Sequence, residues 1–140
     1  MRSQSFFYTT QLIDEPITLE DGRSYKRSAI IEKWKGQLKL SSKKLAAPDL
    51  DFVYNEIANG KSINLSYCYL KDFSLREYRN KYKLEDSTPI RLDSFKADHA
   101  FFESEYGTDF SHVNFEGHSS SIAYTIFHLG DVNFNYTKCA

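Results

Sequence analysis

The sequence predicts an α+β protein in two parts, and three patterns carry that expectation. Around Asp21-Gly22, apolar residues alternate with polar ones, as in a short hairpin. Leu50, Val53, Tyr54 and Ile57 recur at i, i+3, i+4 and i+7, the spacing of one helix face. From Lys61 onward apolar residues come in pairs two apart, and the pairs recur every five residues. That period fits neither a 3.6-residue helix nor a two-residue strand.

The N-terminal part is read in chain order. Ile17 and Leu19 form a short strand, Asp21-Gly22 supplies a positive-φ turn, and Ser24-Tyr25 begins the return. Ile30, Ile31 and Trp34 then read as the apolar face of a one-to-two-turn helix stopped by Gly36. Pro48-Asp49 opens the last helix and Gly60 ends it.

The chain has 140 residues, with 18 basic and 19 acidic side chains and a formal net charge of −1. This balance gives no basic footprint for nucleic acid and no charged tail. No apolar run approaches the ~18 residues that span a bilayer, and no leader-like apolar region opens the chain. A soluble, cytoplasmic protein with no membrane partner is expected. Cys68 and Cys139 are the only cysteines, far apart, so neither a disulfide framework nor zinc-ligand spacing is expected. No cofactor motif occurs, and Lys43-Lys44 is not a phosphate loop.

The string from Asp14 to Ile30 resembles the U-box family of ubiquitin ligases, whose pattern runs D-P-V-x-x-x-x-G-x-(S/T)-Y-x-R-x-x-I. Pro16, Gly22, Ser24, Tyr25, Arg27 and Ile30 fall in register with it, with Trp34 near the family's helical aromatic. The resemblance covers about Phe6 to Ile57 and implies a small, zinc-free ββα-α domain over residues 6–60. It also implies a ligase without a catalytic side chain of its own. In that family two loops and the central helix dock a ubiquitin-conjugating enzyme, and rate comes from holding donor and acceptor together. The resemblance implies that Phe6 to Ile13 and Leu40 to Leu45 are those two loops. Carried over by position, the conjugating-enzyme groove would comprise Tyr8, Thr10, Lys33, Leu38, Lys39 and Leu40. Ser42 and Lys43 would lie near ubiquitin. The sequence departs from the family at Phe7, Lys33, Lys39, Ser42 and Val53, where a proline, an aromatic, a second proline, a basic residue and an asparagine are usual. An alternative is a non-enzymatic protein-interaction module that keeps the U-box shape. An unrelated α+β domain is the third reading, and it would leave Tyr25 and Arg27 at the surface.

Residues 61–140 form the second part. Ile63/Leu65, Cys68/Leu70 and Phe73/Leu75 are followed by Ile90/Leu92, Phe95/Ala97 and Ala100/Phe102. Val113/Phe115 stands in a shorter run, before Ile122/Tyr124, Phe127/Leu129, Val132/Phe134 and Thr137/Cys139. Asn or Asp often precedes the second member, as in Asn64-Leu65, Asp109-Phe110, Asn114-Phe115 and Asn133-Phe134. The period fits a four-sided solenoid with both members inward, set against an irregular β or α+β domain. It resembles the pentapeptide-repeat family, pattern A-(D/N)-L-x-x, although Ile63, Phe73, Phe95 and Phe127 are larger than that family prefers. Arg76 to Thr88, carrying Tyr78, Tyr82 and Leu84, reads as a charged helix or loop insertion. In a ligase this part would bind the protein substrate. Both modules occur among ligases that bacteria inject into host cells, so the resemblance implies a secreted effector by analogy.

Other constellations carry less. Cys68 sits at an inward position and reads as packing. His99, His112, His118 and His128 read as surface residues, including His112 with Asp109 and His118 beside Ser119, Ser120 and Ser121. Asp14/Glu15 and Glu103/Glu105 read as solvated or ion-paired.

Overall fold

The computed structural model describes residues 5–117 and 120–139, and the chain divides into two compact units, 1–48 and 49–140. Strands and two helices are both present, an α+β composition.

The first unit is a three-stranded antiparallel sheet of β1 (Phe6–Ile13), β4 (Ser28–Lys35) and β5 (Leu38–Ala46), in the order β1-β4-β5. Between β1 and β4 lies the two-residue pair β2 (Ile17–Thr18) and β3 (Ser24–Tyr25), with Ile17 opposite Tyr25 and Thr18 opposite Ser24. The turn closes as the sequence implies. Gly22 has φ +92° and donates its N–H to the Leu19 carbonyl at 2.9 Å. Asp21 accepts from the Arg23 N–H at 3.2 Å and from Arg23 Nε at 2.8 Å, which holds its carboxyl below the usual carboxylate range.

Three expectations are corrected here. Ser28–Lys35 is a strand where a helix around Ile30, Ile31 and Trp34 was expected. The stretches expected as loops, Phe6–Ile13 and Leu40–Leu45, lie in its flanking strands. The physical reason is non-local. An eight-residue helix is marginal alone, whereas two β-prone neighbours satisfy the backbone of a segment carrying adjacent β-branched Ile30 and Ile31. In the strand Ile30 and Trp34 share one face and Ile31 takes the other. Nor do Tyr25 and Arg27 form a buried network: Tyr25 is half-buried beside Arg23, and exposed Arg27 pairs with exposed Asp14 at 2.7 Å.

The second unit begins with α1 (Leu50–Ala58), whose buried residues are Val53, Tyr54 and Ile57. This helix clusters with the C-terminal unit, so the compact division falls at residue 48, not at the expected 60. After it come β6 (Tyr69–Lys71), α2 (Leu75–Lys81), β7 (Ile90–Asp93), β8 (Phe101–Ser104), β9 (Thr108–Asp109), β10 (Val113–Glu116), β11 (Ile126–Leu129), β12 (Val132–Asn133) and β13 (Lys138–Cys139). The expected insertion is thus α2 followed by a loop. Ser74 caps α2, accepting the Glu77 N–H at 3.4 Å.

All strand pairing in this unit is parallel and in columns. One is β7-β10-β13, a second β6-β8-β11, a third β9-β12 extended by a bridge from Ser74 to Asp109. A fourth consists of bridges from Lys96 to Asn64 and Ser121. Ile90 faces Val113 and Phe101 faces Ile126, whereas Tyr69 faces Phe101 across the longer segment that contains α2.

Backbone geometry explains the five-residue period. Positive φ occurs at Tyr67, Asp72, Ser94, His99, His112, Gly117, Tyr124, Leu129 and Tyr136. Six of these stand two residues after the second member of a pair, at Leu65, Leu70, Leu92, Ala97, Phe115 and Phe134, and His112 stands two after Phe110. Tyr124 and Leu129, expected as inward second members, are instead corner residues, 81% and 58% exposed, so the expected pairing is one step out of phase there. Asn64, Asp109 and Asn133 accept the N–H two residues on, from Ser66, Ser111 and Asn135, and so prepare the corners at Tyr67, His112 and Tyr136. Left-handed corners cost a non-glycine residue roughly 1–2 kcal/mol. Ring stacking between successive corners offsets part of this: Tyr67 on His99 and His99 on Tyr124 at 5.0 Å each, and His112 on Tyr136 at 4.6 Å.

The inward residues build a phenylalanine core. Phe73, Phe95, Phe102 and Phe110 are fully buried, and Phe101 is fully buried outside this cluster, against Tyr69 and His128. The Phe110 ring meets Phe73 at 5.3 Å, Phe95 at 5.7 Å, Phe102 at 5.8 Å and Phe134 at 5.2 Å. Cys68 is also buried, its thiol donating to the Ser66 carbonyl at 3.6 Å. His118, Ser119 and the Cys139 side chain lie outside the described parts.

Candidate functional site

The residues expected to dock a conjugating enzyme all fall on the N-terminal sheet. Tyr8 opposes Lys33, which opposes Ser41; Thr10 opposes Ile31, which opposes Lys43; Lys35 opposes Leu38. Side chains directly across antiparallel strands share a face, so Tyr8, Thr10, Lys33, Leu38 and Lys43 lie together. Lys39 and Ser42 fall on the opposite face with Trp34 and Glu32, and Leu40 is the extra residue of a bulge beside Lys33/Trp34. Lys39 pairs with Glu32 at 2.8 Å. Burial pushes the Lys43 ammonium below its ordinary value. Of the expected structural residues, Pro16 is exposed between β1 and β2, Gly22 turns the hairpin, and Ile30 lies between Gln11 and Lys44.

The C-terminal unit holds a groove of about 540 Å³ at the corner between the β6-β8-β11 and β9-β12 columns. Asp72 and Ser74 enter from one level, Ser104 through Asp109 from the next, and Asp131 and Asn133 from the third. Arg76 and Glu77 overhang it from the first turn of α2. Asp72, Glu77, Asp109 and Asp131 outnumber the two cations near them, Arg76 at the rim and Arg79 behind Asp109, so the field is negative.

A glycine pair shapes the wall. Gly107 has φ +91°, and a Cβ there would sit 2.6 Å from the Asp131 carbonyl oxygen. A Cβ at Gly130 would lie 2.4 Å from the Gly107 nitrogen. The close approach lets Gly130 N–H donate to Ser104 O at 2.6 Å and Thr108 N–H to Asp131 O at 3.0 Å.

Behind the wall stands Arg79, fully buried on α2. Its Nε donates to Thr88 O at 2.8 Å and its Nη2 to Ser111 O at 2.7 Å and His112 O at 3.1 Å. Nη1 lies 3.7 Å from Asp109 Oδ2. Burial lowers the guanidinium pKa while Asp109 opposes that change. Asp109 also accepts from Ser111 Oγ at 3.1 Å. One charge pair therefore ties α2 to the groove floor. Sequence reasoning passed over Arg79, although Leu75, Tyr78 and Arg79 at i, i+3 and i+4 place it on the helix's buried face.

Asp98, Glu103 and His128 have partners within the fold. Asp98 accepts from Ser121 Oγ at 2.6 Å and Ala123 N–H at 2.7 Å, which lowers its pKa. Glu103 accepts from the Tyr69 hydroxyl, and His128 lies 3.9 Å from Glu103. Among the described residues no group of three or more His, Cys, Asp or Glu is arranged to hold a metal ion. No helix there is long and apolar enough to cross a membrane.

No family model matches the sequence, and no curated protein or solved structure matches it.

Proposed function

We propose that this chain is a non-enzymatic protein-interaction module whose C-terminal unit receives a basic segment of a protein partner. The observation that carries the reading is the acid-lined groove. Asp72, Glu77 and Asp131 line a space large enough for one or two side chains, beside Ser74 and Thr108, while Asp109 is held from behind by Arg79. Lysine or arginine side chains match that charge pattern. The parallel columns and regularly spaced corners support the further reading of this unit as coils of pentapeptide-repeat type, a rigid support for such a surface.

The test is fluorescence anisotropy of a labelled lysine-rich peptide against the full chain. Binding should weaken about fivefold or more in Glu77→Gln/Asp131→Asn, both exposed positions, while a glutamate-rich peptide stays unbound. Equal binding by the double variant would refute the groove as the site.

A second reading is a ubiquitin-protein ligase that docks a ubiquitin-conjugating enzyme and passes ubiquitin to a bound protein target. The Gly22 hairpin and the shared face of Tyr8, Thr10, Lys33 and Leu38 favour it. It ranks second because a strand occupies the place of the docking helix. A secreted bacterial effector belongs to this reading, resting on the pairing of the two module resemblances. Chain formation in a reaction with several conjugating enzymes, reduced by Tyr8→Ala, would establish it. A folded protein that stimulates none would end it.

A further inference from the structure

The end of the N-terminal sheet beside the Gly36-Gln37 turn is apolar on both faces. Phe6, Lys35 and Leu38 form a row on one face, and Phe7, Trp34 and Lys39 form the next row on the other. Phe6 is 57% exposed, Phe7 43% and Leu38 63%. Such apolar side chains pointing both ways from a narrow strand end are not covered by a flat partner, which meets one face. They fit a medium that surrounds the tip.

The charge is arranged to match. Residues 1–48 carry nine basic and five acidic residues, net +4. Lys33 and Lys35 place their ammonium groups 4.9 and 5.5 Å from the Phe6 ring, and Lys39 lies 5.7 Å from the Trp34 ring. Four of the five acids, Asp14, Glu15, Glu20 and Asp21, follow the opposite end of β1, about seven residues or ~24 Å away along the strand. The fifth, Glu32, is paired with Lys39.

We propose that this tip docks the protein onto a bilayer surface bearing anionic lipid headgroups, with Phe6, Phe7, Trp34 and Leu38 entering the interface and the lysines meeting the headgroups. Aromatic rings with an apolar body favour the interfacial layer, and adjacent cations add attraction to anionic lipid. This goes beyond the protein-interaction reading and uses a different unit of the chain, so either can fail alone.

Trp34 is the only tryptophan, so its fluorescence reports on the tip directly. The full chain is titrated with vesicles of phosphatidylcholine alone and with 30% phosphatidylserine. The expected result is a blue shift and co-sedimentation with the anionic vesicles only. Affinity should fall about tenfold in Lys33→Gln/Lys35→Gln and also fall in Leu38→Ser. Unchanged circular dichroism in these surface variants separates lost binding from lost folding. Unchanged Trp34 emission at saturating anionic lipid would overturn the proposal, as would undiminished sedimentation of all variants. A tip that ignores vesicles yet loses a protein partner on Leu38→Ser would also overturn it, in favour of a protein-binding surface.

Discussion

The two units solve the same burial problem in opposite ways. Among the described residues of the N-terminal unit Ala29, Ile31, Leu45 and Ala46 are the buried apolar side chains, while Phe6, Phe7, Leu12, Leu38 and Leu40 face outward. The C-terminal unit buries Phe73, Phe95, Phe101, Phe102 and Phe110 completely and leaves its polar side chains to cap corners and line a groove. Charge divides in the same sense: net +4 in residues 1–48, and nine basic against fourteen acidic residues, net −5, in residues 49–140. A sheet held mainly by backbone pairing has apolar side chains to spare for a surface. A stack held by a ring cluster can place charges at its corners without losing its core. The C-terminal unit is thus built around buried rings, whereas the N-terminal sheet carries an exposed apolar edge.

The strongest way to break this contrast is to empty the ring cluster. Phe110→Ala should destabilise the C-terminal unit by about 3–5 kcal/mol, measured by chemical denaturation. Ile31→Ala, in the thin core of the sheet, should cost about 2–4 kcal/mol and loosen the N-terminal unit in hydrogen exchange while Phe110 and its neighbours stay protected. Uniform loss of protection in both variants would show one cooperative core instead of two.

Arg79→Ala comes next. It removes the donors to the Thr88, Ser111 and His112 carbonyls and leaves Asp109 without its buried counter-charge. A loss of about 2–4 kcal/mol is expected. A neutral result would mean that α2 is not tied to the groove floor by this pair.

Smaller effects sharpen the corner account. His99→Ala removes the middle ring of the Tyr67–His99–Tyr124 column and should cost about 1 kcal/mol. His99→Gly should cost less, because glycine accepts φ +54° without strain. Equal losses would show that stacking, not backbone strain, governs the corner.

The Asp98 carboxyl titrates below its ordinary value of 3.8 because Ser121 Oγ and the Ala123 N–H donate to it. A depressed folded-state pKa contributes stability that is complete above the unfolded value and is lost as pH falls through the folded one. The wild type should therefore lose stability below about pH 4 more steeply than Asp98→Asn, followed by melting temperature against pH. Parallel curves would remove Asp98 from the account.

Much of the C-terminal unit was legible because its signals are local. The pairs from Ile63 to Phe115 mark buried side chains, Asn64, Asp109 and Asn133 mark corners, and the break after Leu75 marks α2, whereas the later pairs put the corner residues Tyr124 and Leu129 inward. The hairpin at Gly22 and the face of α1 were legible for the same reason. Ser28–Lys35 misled because Ile30, Ile31 and Trp34 satisfy a helical spacing, while the partners that make it a strand are distant in sequence, at Phe6–Ile13 and Leu38–Ala46. The groove was hidden for a related reason. Asp72, Asp109 and Asp131 meet only when successive levels stack, and no single window of sequence contains them.

The most direct measurement is a backbone amide NMR titration of the full chain with a lysine-rich peptide. The account predicts saturable shifts centred on Gly107, Thr108, Asp109 and Asp131, weakened by Glu77→Gln/Asp131→Asn. Shifts confined to residues 1–48, or none at saturating peptide, would contradict it.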